Sequence, residues 1–206
     1  MKKTLLIYSG GMDSTVLLYH LRALGHDVEC VSFNYNQRHK RELESAKNIC
    51  SMLDVKHSVL DIPQLHGSAL TGNGEVPHGH YAEESMKQTV VPNRNMVMLS
   101  HAASMAIAKD KDILAYGCHA GDHAIYPDCR TEFVEAMKVA LSLCDWKQLE
   151  LFTPFVEFDK GWIARLGHEL EVPFDMTWTC YEGGEEPCGK CGSCVERAEA
   201  LATIIK

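Results

Sequence analysis

The sequence predicts an α/β fold, with a doubly wound, mainly parallel five-stranded sheet and a small metal-binding helical appendage at its C-terminal end. Apolar segments of strand length alternate with amphipathic segments of helix length, an order typical of parallel sheets covered by helices on both faces. Four cysteines then cluster between Cys180 and Cys194. We therefore place the main domain over 1–170 and a C-terminal segment, packed on it, over 171–206.

Each element follows from periodicity and from the residues at its ends. Strands are predicted at 5–8, 28–33, 57–62, 113–117 and 152–158. The first helix is expected to be capped by Asp13 or Ser14 and to end at Gly25, and a later one to begin at the cap Asp159 and end at Leu170. The other helices are predicted at 42–53, 96–108, 131–143 and 195–205.

Length, composition and charge limit the classes of function. The chain has 206 residues and is 46% hydrophobic, enough for one ordinary domain with a proper core. Its formal charge of −8 argues against a broad surface for nucleic acid. No apolar run reaches the ~18 residues of a membrane span, and the first apolar stretch is too short for a signal peptide. We therefore expect a cytoplasmic protein without nucleic-acid or membrane partners.

Residues 9–14, SGGMDS, join the first strand to the first helix and have the features of an anion site. Gly10 and Gly11 lack a Cβ, so a phosphate can approach the backbone. The helix that follows points its positive end at the same place, and the hydroxyls of Ser9 and Ser14 add donors. Asp13 could cap that helix or face a magnesium ion that accompanies phosphates. The stretch has no Walker lysine.

Other polar residues follow predicted strands, at the edge where parallel sheets bind ligands. Residues 37–39, Gln-Arg-His, follow the second strand, and residues 118–130 follow the fourth as a loop too polar to bury without a partner. Arg94, at the start of a helix, suits an anionic oxygen, although it could instead pair with a loop carboxylate. The irregular segment 63–92 is interpreted as a lid over the substrate.

The cysteine cluster predicts a structural metal site. Cys188, Cys191 and Cys194 form two overlapping CxxC units, and Cys180 lies upstream. Four thiolates with no open position describe a closed tetrahedral zinc site, which would hold the C-terminal segment against the main domain. An iron–sulfur cluster is the alternative, although no proline follows the last cysteine as in bacterial ferredoxins.

The motifs together resemble a known family. SGGMDS resembles the signature of the PP-loop ATP pyrophosphatases, which cleave ATP between its α and β phosphates. With NQRHKRELESA, VVPNRN, YPDCR and the cysteine cluster, the chain resembles over nearly its whole length one PP-loop family, the 7-cyano-7-deazaguanine synthases of the queuosine pathway. Asn36 stands where the resemblance leads us to expect glycine.

The resemblance implies an adenine nucleotide alpha hydrolase-like fold and an ATP-dependent ligase that converts 7-carboxy-7-deazaguanine and ammonia to the nitrile. The carboxylate and then the amide would be adenylated in turn. A PP-loop enzyme that thiolates tRNA is the alternative. Because residue 2 is lysine, a glutaminase nucleophile is missing there and free ammonia is the expected donor. The resemblance also suggests a homodimer.

The residue roles are expectations of the same resemblance. Catalysis is assigned to Asp13, Arg94 and Lys160, with Mg²⁺ on the phosphates. The substrate is assigned to Asp122, Tyr126, Asp128 and Arg130, where either aspartate could read the guanine-like edge and Tyr126 or Phe33 could stack on it. ATP is assigned to Tyr8, Ser9, Gly10, Gly11, Met12, Asp13, Ser14, Thr15, Val16, Leu17, Leu18 and Arg38. Zinc is assigned to Cys180, Cys188, Cys191 and Cys194.

Overall fold

Five parallel strands form the centre of the molecule. The computed structural model describes residues 1–38, 40–72 and 74–204, so His39 of the predicted polar segment lies outside the described residues. The strands are β1 (Lys3–Ile7), β2 (Asp27–Asn34), β3 (Lys56–Asp61), β4 (Ile113–Ala115) and β5 (Glu150–Phe152). Their order in the sheet is β3-β2-β1-β4-β5, and every pair is parallel. The strand order therefore reverses between β1 and β4, and the predicted fold class is confirmed.

Helices cover both faces of this sheet. They are α1 (Met12–Ala23), α2 (Arg41–Met52), α3 (Arg94–Ala108), α4 (Thr131–Ser142), α5 (Lys160–Glu169) and α6 (Gly192–Ala202). Successive strand side chains point to opposite faces, so Leu5 packs with α3 and α4 while Leu6 packs with α1, α2 and α5. Both leucines are fully buried. The doubly wound arrangement follows from this alternation of buried residues on the central strand.

The fifth strand was predicted in the wrong place. It spans Glu150–Phe152, whereas the prediction placed it at 152–158. Its neighbour in the described sheet, β4, has three residues, so pairing ends at Phe152, and Pro154 has no N–H to continue a ladder. Phe155 is nevertheless buried, from a turn rather than a strand. The apolar residues after Phe152 indicated burial correctly but not strand structure.

Two helix starts also differ from the prediction. The N-cap of α1 is Gly11, and neither Asp13 nor Ser14 caps it; Ser14 Oγ instead donates to the Gly11 carbonyl at 3.2 Å. Helix α6 begins at Gly192 rather than at 195, so that Cys191 is its N-cap and Cys194 lies in its first turn. The predicted cap of α5 is confirmed, since Asp159 accepts a hydrogen bond from the Trp162 amide at 2.7 Å.

Two left-handed residues shape the loops near the sheet edge. Gly10 has φ +80°, and a Cβ there would lie 2.3 Å from the Glu42 carbonyl oxygen, so α2 approaches too closely for any other residue. Asn36 has φ +59°, a conformation that asparagine tolerates better than most residues. The departure at Asn36 therefore preserves the backbone shape that glycine would allow.

The segment after residue 170 packs on the α/β part. Helix α6 lies against α5, and Ala200 joins Met12 and Ala164 in one small core cluster. Most of 63–92 is irregular, and Leu70 and Val76 from it pack around the cysteine cluster. No helix in the described part of the chain is long and apolar enough to cross a membrane. The boundary at residue 170 stays a prediction.

Candidate functional site

A cleft of about 230 Å³ lies at the carboxyl ends of β1, β2 and β4. This is where the strand order reverses, the usual place for a ligand in an open α/β sheet. Its floor comes from the β1–α1 turn, and its sides come from the N-terminal end of α3, the residues after β4, and α5 and α6. Both apolar and charged side chains face it. The cleft is the candidate active site.

The SGGMDS turn forms one end of the cleft. Ser9 Oγ and Ser14 Oγ lie 3.0 Å apart, and the Gly11 amide donates to Ser9 Oγ at 3.2 Å. The turn is held from behind, because the Trp178 amide donates to the Gly10 carbonyl at 3.0 Å. Small polar groups therefore surround the positive end of α1 on a fixed backbone, which is the arrangement needed to bind an anion.

The residues assigned to ATP divide into two groups. Tyr8, Ser9, Gly11, Met12, Asp13 and Ser14 line the cleft. Gly10 shapes the turn, and Thr15 accepts or donates a hydrogen bond with the buried Tyr8 hydroxyl at 3.1 Å. Val16, Leu17 and Leu18 are fully buried in the core beneath the sheet and do not line the cleft. Their contribution is to hold α1 in place.

Lys160 bridges two carboxylates inside the cleft. Its Nζ lies 2.6 Å from Glu196 Oε2 and 3.2 Å from Asp13 Oδ2, and its side chain is only 7% exposed. Burial opposes the charge on Lys160, but Asp13 and Glu196 outweigh it and raise its pKa. Burial likewise acts to raise the pKa of Asp13, while Lys160 and then His119 lower it below its usual range. Both groups are therefore ionised at neutral pH.

His119 joins this network from the residues after β4. Its Nε2 lies 3.4 Å from Asp122 Oδ2 and 3.7 Å from Asp13 Oδ2. Two buried atoms, Asp13 Oδ1 and His119 Nδ1, have no hydrogen-bond partner among the described residues. Because a buried polar atom is costly without a partner, these two positions favour a bound ligand or ion.

Arg94 faces the cleft from the first turn of α3. Burial opposes its charge, but the neighbouring Tyr35 and Cys129 raise its pKa, so it remains a cation. Burial raises the pKa of the nearby Glu42 carboxyl above its usual range, which for an acid favours the neutral form. The ion pair with a loop carboxylate that the sequence left open is not found for Arg94 among the described residues. Its charge is thus directed at the cleft.

The four residues assigned to the substrate do not all meet. Asp122 and Tyr126 line the cleft, and the Tyr126 hydroxyl hydrogen-bonds Thr89 at 2.6 Å. Asp128 instead accepts from the Asn95 amide at 3.1 Å, at the start of α3. Arg130 is exposed and donates to the His123 carbonyl at 2.8 Å. Only the first two are placed to touch a ligand in the cleft as it stands.

Arg38, assigned to ATP, lies outside the lining of the cleft. It donates to the Gly74 carbonyl at 2.7 Å, and its guanidinium lies 3.8 Å from Glu182. Both partners belong to segments that surround the cysteine cluster. Arg38 therefore connects the loop before α2 to those segments.

The four predicted cysteine ligands come together at the C-terminal segment. Their sulfurs lie within 4.8 Å of one another, and the Cys188 and Cys194 sulfurs are 4.0 Å apart. The edge of a tetrahedron with Zn–S bonds of ~2.3 Å is roughly 3.8 Å, so the spacing fits zinc. Burial acts to raise the pKa of Cys188, but the Lys190 and Cys191 amides that donate to its sulfur lower it to about 7. That sulfur is ready to bind a metal as a thiolate.

Sequence reasoning missed Glu196, the second partner of Lys160. It lies on α6 next to the cysteines, where an acidic residue on an amphipathic helix normally faces solvent. His119 belongs to the polar loop 118–130. The composition of that loop indicated a functional segment but not the role of His119. Tyr181, also in the cleft, carried no signal apart from its position after Cys180.

Comparison with known proteins decides the family. The family model described as "Queuosine biosynthesis protein QueC" matches residues 3–205. The chain belongs to the QueC family. A protein of Caldicellulosiruptor saccharolyticus is 52% identical over 98% of this chain and 92% of its own length, and one of Methanoregula boonei is 53% identical over 97% and 94%. Both are named 7-cyano-7-deazaguanine synthase.

Solved structures support the fold. An NMN synthetase from Francisella tularensis has a TM-score of 0.56 at 15% identity, covering 90% of this chain and 70% of its own. The U34-tRNA thiolase NcsA from Methanococcus maripaludis, solved with its [4Fe-4S] cluster, has a TM-score of 0.55 at 15% identity. It covers 98% of this chain, which spans 63% of that protein. At such identities the likeness shows the fold alone.

Proposed function

We propose that this chain is an ATP-dependent ligase that converts 7-carboxy-7-deazaguanine and ammonia to 7-cyano-7-deazaguanine in queuosine biosynthesis. The observation that carries the proposal is the identity of about half of all residues, over nearly the whole chain, with relatives of that name. The cleft supports it, since it combines an anion cradle, formed by residues 9–14, with two cations, the buried Lys160 and the half-buried Arg94. The thiolation alternative loses support, because the structural likeness to the thiolase extends only to the fold.

The proposed reaction places ATP's phosphates against residues 9–14. The substrate carboxylate attacks the α-phosphorus and pyrophosphate leaves toward the cradle. Ammonia displaces AMP to give the amide, and adenylation of the amide oxygen lets that oxygen leave with AMP as the nitrile forms. Negative charge on phosphoryl oxygens builds at each activation, and Arg94 and Lys160 are the cations in the cleft that can offset it.

Magnesium fits the cradle through Asp13. One oxygen of this carboxylate pairs with Lys160, and the other is buried without a partner among the described residues. A carboxylate oxygen beside substrate phosphates is the usual protein ligand for Mg²⁺. When bound, the ion neutralises phosphate charge. Asp13 itself is held ionised and in place by Lys160.

The substrate's ring is assigned to the part of the cleft near Tyr126. Asp122 is the candidate acceptor for the N–H groups of the guanine-like edge, since it lines the cleft and Asp128 does not. Tyr126 and Phe33 both line the cleft and offer aromatic surface. Roles for Asp128, Arg130 and Arg38 require these side chains to leave the contacts described above.

Zinc is the proposed occupant of the cysteine site, with a structural role. The cluster stabilises the segment that carries Trp178, whose amide holds the Gly10 carbonyl, and the segment that carries Glu196. The metal is therefore linked to the cleft through the backbone rather than by contact with substrate. We further propose that the protein is a cytoplasmic homodimer acting on small molecules and not on nucleic acid.

The direct test is release of pyrophosphate. The purified protein, incubated with ATP, Mg²⁺ and 7-carboxy-7-deazaguanine, should release pyrophosphate only when that carboxylate is present, and ammonium should increase turnover. Metal analysis should find zinc and not iron. No release from folded, zinc-loaded protein would contradict the ligase, and an iron-containing brown protein that sulfurates tRNA would support the thiolase instead.

A further inference from the structure

A smaller cavity of about 20 Å³ adjoins the cleft, between the 63–92 segment and the start of α6. This volume suits a single molecule of the size of water. Asp122, Tyr126, Tyr181, Ser193 and Glu196 line both the cavity and the cleft. The cavity and the cleft therefore share these five residues as a common wall.

The charge of the cavity selects its ligand. Two carboxylates, Asp122 and Glu196, are among its lining residues, and no lysine or arginine is. Lys160 contacts Glu196 through Oε2 from the cleft side and is already shared with Asp13. Asp122 instead lies 3.4 Å from His119 Nε2, so among the described residues it forms no ion pair with a lysine or arginine. A small monovalent cation in the cavity reduces this excess of negative charge.

One buried polar atom next to the cavity lacks a partner among the described residues. A Cβ on Gly121, which lines the cavity, would lie 2.8 Å from Glu196 Oε1 and 3.0 Å from His119 Nδ1, so both atoms lie close to this glycine. His119 is 2% exposed, and its Nδ1 has no hydrogen-bond partner in the described part of the chain. A ligand with several N–H donors would satisfy such acceptors.

We propose that this cavity binds the nitrogen donor, as ammonium, and delivers it as ammonia to the activated carboxylate in the cleft. The inference rests on the proposed function. Ammonium first gives one proton to the Asp122 carboxylate on the cavity wall, and the nitrogen lone pair that this frees forms a bond to the acyl carbon. The bond from that carbon to the AMP oxygen then breaks, AMP leaves with the electron pair, and the second proton passes from the nitrogen to the phosphate of the departing AMP. The cavity excludes amines with a second heavy atom by size.

Enlarging the cavity tests this selection by size. Met86 is buried on the cavity wall, and Met86→Ala removes most of its volume. This variant should accept methylamine and form the N-methylamide, a product that the wild type makes at least about tenfold more slowly. Met137→Ala is the matched control, since Met137 is also buried, in the core on α4, and lies outside the lining of both cavities. It should keep the wild-type preference for ammonium.

Filling the cavity tests the same assignment in the opposite direction and with less risk to folding. In Gly121→Ala the added methyl group meets Glu196 Oε1 at 2.8 Å and the His119 ring at 3.0 Å, and the end of the glutamate side chain can move aside. The KM for ammonium should rise about tenfold or more, while the KM for ATP and the pyrophosphate released without ammonium stay near wild type.

The possible failures are distinguishable. A wild type that releases no pyrophosphate contradicts the proposed function itself. If the wild type is active, the cavity assignment is overturned by any of three results: unchanged ammonium KM in Gly121→Ala, equal methylamine use by Met86→Ala and Met137→Ala, or a cavity metal detected beyond the cysteine site. The last applies because His119, Asp122 and Glu196 also offer ligand atoms within 4.8 Å of one another.

Discussion

Removing the charge of Lys160 should destabilise the protein far more than removing the charge of a similar surface lysine. Lys160→Met leaves Asp13 and Glu196 without their shared cation in a buried site. Loss of one partner from a buried ion pair costs about 3–5 kcal/mol, and because two carboxylates are affected we expect roughly 5 kcal/mol. With a urea m-value of about 2 kcal/mol/M, the unfolding midpoint should fall by ~2 M or more.

Lys147 supplies the matched control. It also bridges two carboxylates, at 2.7 Å from Asp110 and 3.3 Å from Asp112, but on the surface. Lys147→Met should therefore change the midpoint little, since solvent screens such pairs. Equal effects of the two substitutions, measured by urea unfolding of the zinc-loaded proteins at pH 7, would refute the argument from burial.

The effect of Lys160→Met should depend on pH. The lowered pKa of Asp13 adds stability that is present above its usual 3.8 and is lost as pH falls through the native value. The raised pKa of Lys160 adds stability that is present below its usual 10.5 and is lost only as pH rises through the native value. The gap between wild type and variant should thus be constant from about pH 6 to 9 and should narrow in acid. A gap that widens in acid would contradict the assignment.

Two further predictions concern the zinc site and the cradle. Cys191→Ser should lose bound zinc and melt about 5–10 °C lower, since a chain of this size loses ~2–4 °C per kcal/mol. Cys144 is exposed and lies outside the cluster, so Cys144→Ser should change neither zinc content nor melting temperature. Metal analysis and calorimetry of the two variants check this. Gly10→Ala should cost about 1–3 kcal/mol more than Gly25→Ala in urea unfolding, because both have left-handed φ but only Gly10 meets neighbouring backbone. Equal losses would contradict the close approach of α2.

The sequence predicted the elements whose signals are local. The alternation of strands and helices, the glycine turn, the Asp159 cap and the cysteine cluster all depend on residues near one another in the chain, and the structure confirms the fold, the cap and the clustering. The prediction of the fifth strand was wrong because the length of this strand depends on its pairing with β4, which the hydrophobicity of nearby residues does not indicate. Because β4 has three residues, β5 ends at Phe152 even though apolar residues follow it.

The candidate site was predictable only in part, because its centre is assembled from distant segments. Asp13 could be proposed from the SGGMDS motif and Lys160 from the family resemblance, but the contact between Lys160 and Glu196 requires α6 to pack against α5. Conversely, Asp128 and Tyr126 belong to the same YPDCR motif, yet the chain turns between them, so one aids the start of α3 and the other faces the cleft. Neighbours in sequence had different surroundings, which no pattern of residue types reveals.

The product formed from 7-carboxy-7-deazaguanine, ATP and ¹⁵N-ammonium tests the central claim most directly. Mass spectrometry should find the nitrile with one ¹⁵N atom, preceded by the amide that carries the same label. A product without the label, or unchanged carboxylate after ATP has been consumed, would contradict the proposed ligase.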